Sequence, residues 1–171
     1  MTSDPACSPG DVEPDSAGSH WLALTLQSGL GARGFAARAL TGDLQEAAAA
    51  RHFARCTLFD WDMGPLVEDA AVIVSELVTN AMRYGLGCPL SPPATSRPVW
   101  LGLLLQETTV LCAVSDPSPE IPVVKEPDYL AESGRGLHII DSLSDAWGWT
   151  SPDHAGKTVW AEVGLPTPSL P

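Results

Sequence analysis

Basic residues are scarce in this 171-residue chain: Lys and Arg number 9 against 21 Asp and Glu, which gives a formal net charge of −12. This charge disfavours electrostatic attraction to nucleic acid or to an anionic membrane surface, so we expect neither as a partner. A bound anion such as ATP would need a local binding device rather than a positive field over the whole protein.

Metal-binding and secretory signals are also lacking. The four cysteines, Cys7, Cys56, Cys88 and Cys112, form no CxxC pair and no His stands at metal-ligand spacing, which argues against a zinc site. The N-terminus has no basic segment followed by an apolar one. The longest strongly apolar stretch, Val99–Leu105, is too short to span a bilayer. These features predict a cytoplasmic protein whose thiols are reduced and mostly structural.

Size and composition predict one domain between two tails. Residues 1–19 contain three prolines, four serines, four acidic residues and no basic ones, which is typical of a disordered acidic tail. Residues 164–171 contain three prolines and are predicted to form a flexible C-terminal tail. Residues 20–163 remain for the domain, in which we see no internal repeat.

Periodicity and turn residues predict a run of helices and a run of antiparallel strands. A strand over Arg33–Leu40 precedes a helix over Leu44–Phe59, with Asp43 and Glu46 as a capping-box pair. A second helix follows from about Pro65 to Tyr84. The later predicted elements are strands over Val99–Leu105 and Thr109–Ser115, a short helix over Gly136–Leu143, and a hairpin of Asp145–Ser151 with Lys157–Val163. The order predicts an α+β two-layer sandwich, with a mixed, mostly antiparallel sheet and helices on one face.

The stretch SELVTNAMRYG carries the first candidate site residues. Its Glu76 and Asn80 are four residues apart and share one helical face. Two polar residues on a solvated helix edge are the ordinary interpretation of such a pair. A carboxylate and a carboxamide one turn apart can instead orient a water or hydroxyl and hold Mg²⁺, which prefers few protein oxygens together with water and phosphates.

Three later segments supply further candidates. Asp116 ends an apolar strand in VLCAVSDPSPEIP, either as a turn acid or as a carboxylate that accepts a hydrogen bond from an amino group such as that of adenine. ESGRGLHIID has Gly134 and Gly136 before a helix whose first N–H groups would point at an anion. GKTVW, from Gly156, indicates by itself only a hairpin turn before a strand. The chain has no GxxxxGK[ST] and no dinucleotide fingerprint, which excludes P-loop and Rossmann sites.

Taken in order, these motifs closely resemble the Bergerat ATP-binding fold. This GHKL superfamily includes gyrase, the large heat-shock chaperone, sensor histidine kinases and the mismatch-repair ATPase. The details look most like its anti-sigma-factor branch, which contains serine/threonine kinases and related regulatory proteins with a histidine kinase-like ATPase domain, numerous in actinobacteria. The resemblance covers roughly Asp43–Val163.

The resemblance implies ATP and Mg²⁺ as cofactors and a role for each candidate residue. Asn80 would be the magnesium ligand, and Glu76 would be the general base that positions the attacking hydroxyl or water. Asp116 would bind the adenine amino group, and Thr158 would lie near adenine from the last strand.

The glycine-rich segment would hold the phosphates. The resemblance implies that Gly134, Arg135 and Gly136 wrap them, chiefly through backbone N–H groups. Some kinases of this branch have a basic residue where this chain has Glu132. Arg135 or Lys157 would then have to supply that charge.

The implied activity is that of an ATP-dependent protein serine/threonine kinase. It would transfer the γ-phosphate to a serine or threonine of a partner protein and sequester a sigma factor. A STAS-type anti-anti-sigma protein would oppose it, and the branch often forms homodimers. Two alternatives stay open: a non-catalytic nucleotide-binding regulatory module, which Glu132 favours, and an interaction domain that binds no nucleotide.

Overall fold

A computed structural model of the chain describes residues 32–41, 45–85, 99–124, 135–150 and 156–166. The predicted N-terminal tail and most of the predicted C-terminal tail lie outside these residues and stay predictions. The elements in chain order are β1 (Gly34–Leu40), α1 (Glu46–Asp60), α2 (Val67–Asn80), β2 (Val99–Leu105), β3 (Thr109–Asp116), α3 (Gly136–Leu143), β4 (Ala146–Trp149) and β5 (Lys157–Gly164).

The strands form one five-stranded sheet in the order β1-β2-β3-β5-β4. All four neighbouring pairs are antiparallel, so the predicted α+β class is confirmed and the described sheet contains no parallel pair. The central pair of β3 and β5 runs from Thr109 opposite Gly164 to Asp116 opposite Lys157. This register brings the end of one strand beside the start of the other.

Alternation along the strands divides the sheet into two faces. The inner face packs against the helices, and Leu101 and Val114 from the sheet join Leu58 and Ile73 from the helices in one buried core. Cys112 lies in this core, and burial raises the pKa of its thiol to about 12. The thiol is therefore protonated at neutral pH, as expected of a structural cysteine.

The outer face of the sheet has a smaller apolar cluster of its own. Leu104, Leu111 and Ala113 are buried there, and Trp100 and Trp160 pack against them. No residue of the described helices belongs to this cluster. The predicted placement of the helices on one face of the sheet therefore agrees with the described part of the chain.

The helix ends differ in detail from the predictions. Asp43 of the predicted capping box lies outside the described residues, but Glu46 accepts a hydrogen bond from the Thr41 hydroxyl at 2.6 Å. The predicted second helix is divided into a 3₁₀ turn over Gly64–Leu66, helix α2, and a π-helical turn over Ala81–Gly85. None of the described helices has the length and apolarity needed to cross a membrane.

Candidate functional site

A cavity of about 490 Å³ lies between α2, the ends of β3 and β5, and the start of α3. This volume falls within the range of about 300–1,000 Å³ typical of small-molecule sites. Its apolar walls include Leu77, Val114, Ile139 and Val159. The charged residues of the described part of the chain that line it are Glu76, Arg83, Asp116, Glu120, Arg135 and Lys157.

Glu76 and Asn80 face the first residue of α3. A Cβ atom built on Gly136 would lie 2.7 Å from Glu76 Oε2 and 3.4 Å from both Asn80 Oδ1 and Asn80 Nδ2. The missing side chain of Gly136 thus keeps space beside both polar groups. Neither side chain forms a hydrogen bond or an ion pair with another described residue, so both can accept an added ligand. The structure therefore brings together three of the predicted site residues.

The charges of this cavity differ from those of the whole protein. Among the described residues, three acidic and three basic side chains line it, whereas the chain carries a net charge of −12. Arg83 and Arg135 are exposed cations of this lining. These local cations are the kind of device that a bound anion would need in so acidic a protein.

The sequence analysis did not single out Arg83. It follows Asn80 by three residues, a spacing that keeps both on one side of a helix. The π-helical turn contains Arg83, and such turns often occur at functional sites. The spacing was therefore the signal by which this residue could have been found.

Asp116 forms a buried ion pair with Lys157. Lys157 Nζ lies 2.9 Å from Asp116 Oδ1 and 3.0 Å from Oδ2, and both residues are only 5% exposed. The Ser118 N–H donates to Asp116 Oδ1 at 2.9 Å. Burial raises the pKa of Asp116, while the hydrogen bond and charge of Lys157 and the Ser118 N–H lower it, and burial dominates.

The position of this ion pair follows from the sheet register and from one glycine. Asp116 is the last residue of β3 and Lys157 the first of β5, and they stand directly opposite each other. Gly156 has a φ of +110°, a conformation that favours glycine. A Cβ there would overlap the Asp116 carbonyl oxygen and lie 2.7 Å from Cα of Pro117. Gly156 thus allows β5 to begin close to the turn after Asp116.

Thr158 does not lie among the described residues that line the cavity. It is fully buried, and its hydroxyl hydrogen-bonds to that of Ser115 on the outer face of the sheet. Because adjacent strand residues point to opposite faces, the cavity side belongs to Lys157 instead. In the described structure Lys157 therefore lies beside Asp116, and Thr158, which was expected near adenine, points to the other face of the sheet.

Only some of the remaining predicted residues lie in the part of the chain that the structure describes. Gly134 and Glu132 lie outside it, so their expected roles at the phosphates stay predictions. Arg135 and Gly136 line the cavity, at the position where α3 begins. The first N–H groups of this helix point toward its N-terminal end, where an anion is favoured.

Comparison with known families identifies the family of this domain. The family model described as histidine kinase-like ATPase domain matches residues 40–163, which is more than half of the chain. The chain belongs to this family. Among curated proteins, no relative matches it.

The geometry of this histidine kinase-like ATPase domain fits the cofactor that its family implies. The gap beside Gly136 lies against a carboxylate and a carboxamide, which are oxygen donors of the kind that Mg²⁺ accepts. In the described ranges, no three His, Cys, Asp or Glu side chains cluster as a metal site. Magnesium that entered with nucleotide phosphates would need only one or two protein oxygens.

Proposed function

We propose that this protein binds Mg·ATP in the cavity and transfers its γ-phosphate to a serine or threonine of a partner protein. The observation that carries the proposal is the placement of Glu76 and Asn80 against Gly136, in a cavity that also contains the buried Asp116. Membership in the histidine kinase-like ATPase family supports ATP as the nucleotide.

Each residue has a distinct task in this proposal. The Asn80 side-chain oxygen would hold magnesium, which neutralises phosphate charge during transfer. Glu76 would accept the proton of the attacking hydroxyl and orient it. Arg83 and Arg135 would bind phosphate oxygens, and Asp116 would accept a hydrogen bond from the base.

The partner follows from the resemblance to the anti-sigma-factor branch. We propose that the protein acts in the cytoplasm, sequesters a sigma factor, and phosphorylates a STAS-type anti-anti-sigma protein. A homodimer would be the expected assembly of this branch. The net charge of −12 supports a protein partner over direct contact with nucleic acid.

One observation favours a second function, a regulatory module that binds nucleotide without transferring phosphate. Lys157 is held by Asp116 in the described structure and so does not supply the charge that Glu132 fails to provide. In this alternative, bound Mg·ATP would only set the conformation that a partner recognises.

Titration calorimetry with ATP, with and without magnesium, followed by a transfer assay on candidate partner proteins, tests these functions. We expect Glu76→Ala to abolish transfer while ATP affinity stays within about tenfold. Asn80→Ala should remove the magnesium dependence of binding. Glu68→Ala is the matched control, because Glu68 is an exposed acid of the same helix whose partner is Arg55 at 3.0 Å.

The outcomes separate the functions. Transfer that persists in Glu76→Ala contradicts the proposed role of that residue. Tight Mg·ATP binding by the wild-type protein without transfer to any candidate partner supports the regulatory module. Absence of ATP binding by the wild-type protein contradicts both functions and favours an interaction domain.

A further inference from the structure

Lys157 Nζ has three hydrogen-bond acceptors among the described residues. An ammonium group has three N–H donors, and Lys157 Nζ directs them at Asp116 Oδ1, Asp116 Oδ2 and the Ser118 carbonyl oxygen. The bond to Ser118 is the longest of the three, at 3.2 Å. Lys157 can therefore exchange this one for a ligand acceptor while it keeps its ion pair.

The two carboxylate oxygens of Asp116 accept different numbers of hydrogen bonds. Its Oδ1 accepts from both Lys157 and the Ser118 N–H, whereas Oδ2 accepts from Lys157 alone among the described residues. Each carboxylate oxygen has room for two donors. One acceptor position thus remains on Oδ2, next to an ammonium group that can release one donor.

This arrangement offers one acceptor and one donor side by side at the wall of the cavity. The edge of adenine presents the complement, an amino donor at N6 next to an acceptor at ring N1. Guanine presents a carbonyl oxygen and an N–H at the same two positions. In the orientation that matches adenine, guanine would place acceptor against acceptor and donor against donor, an arrangement that a buried site rejects strongly.

We infer that Lys157 is a specificity-determining residue of the nucleotide-base subsite: its ammonium group donates to N1 of the adenine whose amino group donates to Asp116. The ion pair of Asp116 and Lys157, rather than the carboxylate alone, then recognises the base. This inference rests on the proposed binding of ATP in this cavity. It gives Lys157 a different task from supplying charge at the phosphates.

The structure supports this role over that of a simple counterion. The pair is buried at the cavity wall, where hydrogen bonds to a base would be shielded from water. Gly156 permits the close approach of β5 to the turn after Asp116, which places the pair where it lies.

The test compares ATP with 1-deaza-ATP, in which ring N1 is replaced by C–H, by titration calorimetry. The wild-type protein should bind 1-deaza-ATP about 10- to 100-fold more weakly than ATP, since a hydrogen bond from a charged donor is lost. In Lys157→Met the two nucleotides should bind within about twofold of each other, as a double-mutant cycle requires when the missing contact is the same one.

Arg33→Met is the matched control, because Arg33 is an exposed cation paired with Glu107 before the edge strand β1. It should keep the wild-type preference for ATP. An equal preference for ATP over 1-deaza-ATP in wild type and in Lys157→Met would overturn the inference. So would a wild-type protein that binds both nucleotides equally, a result that needs no variant to fold.

The proposed function is judged separately, from the titration of wild-type protein with ATP. If ATP does not bind, the proposed function fails and the inference fails with it. If ATP binds and the 1-deaza penalty does not depend on Lys157, the inference alone fails. Circular dichroism of Lys157→Met checks that the variant folds, and Lys157→Arg, which keeps the charge but changes the donor geometry, should weaken the preference for ATP.

Discussion

The substitution Gly136→Ala separates the stability of this protein from its function. The added methyl group would begin 2.7 Å from Glu76 Oε2, closer than non-bonded atoms remain, so the Glu76 carboxylate must move. It would also lie 3.4 Å from the amide atoms of Asn80, a close but tolerable contact. The obstruction is the end of a long side chain rather than backbone, which makes the displacement inexpensive.

The expected change in folding free energy is therefore small. Turning a side chain away from its preferred rotamer costs about 0.5–1.5 kcal/mol. Alanine in place of glycine in a helix returns up to about 1 kcal/mol, and less at the first position, which Gly136 occupies. The two effects oppose each other, so the free energy of unfolding in urea should change by no more than about 1.5 kcal/mol.

The expected change in function is large. The methyl group would fill the space between the proposed base and the proposed magnesium ligand and would displace Glu76. A misplacement of about 1 Å costs about 100-fold in rate, so phosphate transfer should fall by about that factor, and Mg·ATP affinity should fall as well. Gly64→Ala is the control, since a Cβ there meets no atom within 4 Å. Wild-type transfer and affinity in a folded Gly136→Ala protein would refute the placement of the site.

Three further predictions concern the end of the cavity near β3 and β5. Asp116→Asn should lower the free energy of unfolding by about 3–5 kcal/mol, because it leaves the buried Lys157 without its anion. The double variant Asp116→Asn/Lys157→Met should recover most of this loss in the same urea titration, and a loss below about 1 kcal/mol in the single variant would indicate a solvated pair. Burial raises the pKa of Asp116 in the folded protein, so the folded state holds this proton more tightly than the unfolded state. The resulting stability is complete below the ordinary Asp pKa of about 3.9 and is lost as pH rises through the raised pKa. The free energy of unfolding, measured from acid to neutral pH, should lack this component in the double variant. Gly156→Ala should destabilise the fold by about 3 kcal/mol or more, since its φ is +110° and its Cβ would overlap backbone, whereas Gly64→Ala should be nearly neutral by thermal unfolding.

The sequence predicted the elements well where local signals coincide. Helix α3 begins at Gly136 and ends at Leu143, as predicted from the glycine before an apolar run. Strand β2 also has its predicted bounds, Val99–Leu105, because a continuous apolar run is buried on both faces of the sheet. The π-helical turn after Asn80 was not predicted, since residues 81–85 continue the helical pattern of α2.

The part of the candidate site on one helix was predictable from the sequence, whereas the part that depends on the register between β3 and β5 was not. A spacing of four residues on one helix was enough to place Glu76 and Asn80 together. Which of Lys157 and Thr158 faces the cavity depends on a single step along β5, because a shift of one residue reverses the face. Pairing of Asp116 with a lysine 41 positions later depends on the β3–β5 register, which no local pattern in the chain contains.

The ion pair also connects the composition of the chain to its proposed chemistry. The chain has only two lysines, Lys125 and Lys157, and it commits one of them to a buried carboxylate at the cavity wall. In a protein of net charge −12, a lone buried carboxylate facing a nucleotide would add repulsion to its desolvation cost. Lys157 cancels that charge, and Asp116 Oδ2 accepts no other hydrogen bond from the described residues. If Lys157 donates to the base as inferred, discrimination there would depend on hydrogen-bond direction rather than on charge. Arg83 and Arg135 also line the cavity. If the protein binds ATP as proposed, these arginines would neutralise phosphate charge, while Asp116 and Lys157 would recognise the base.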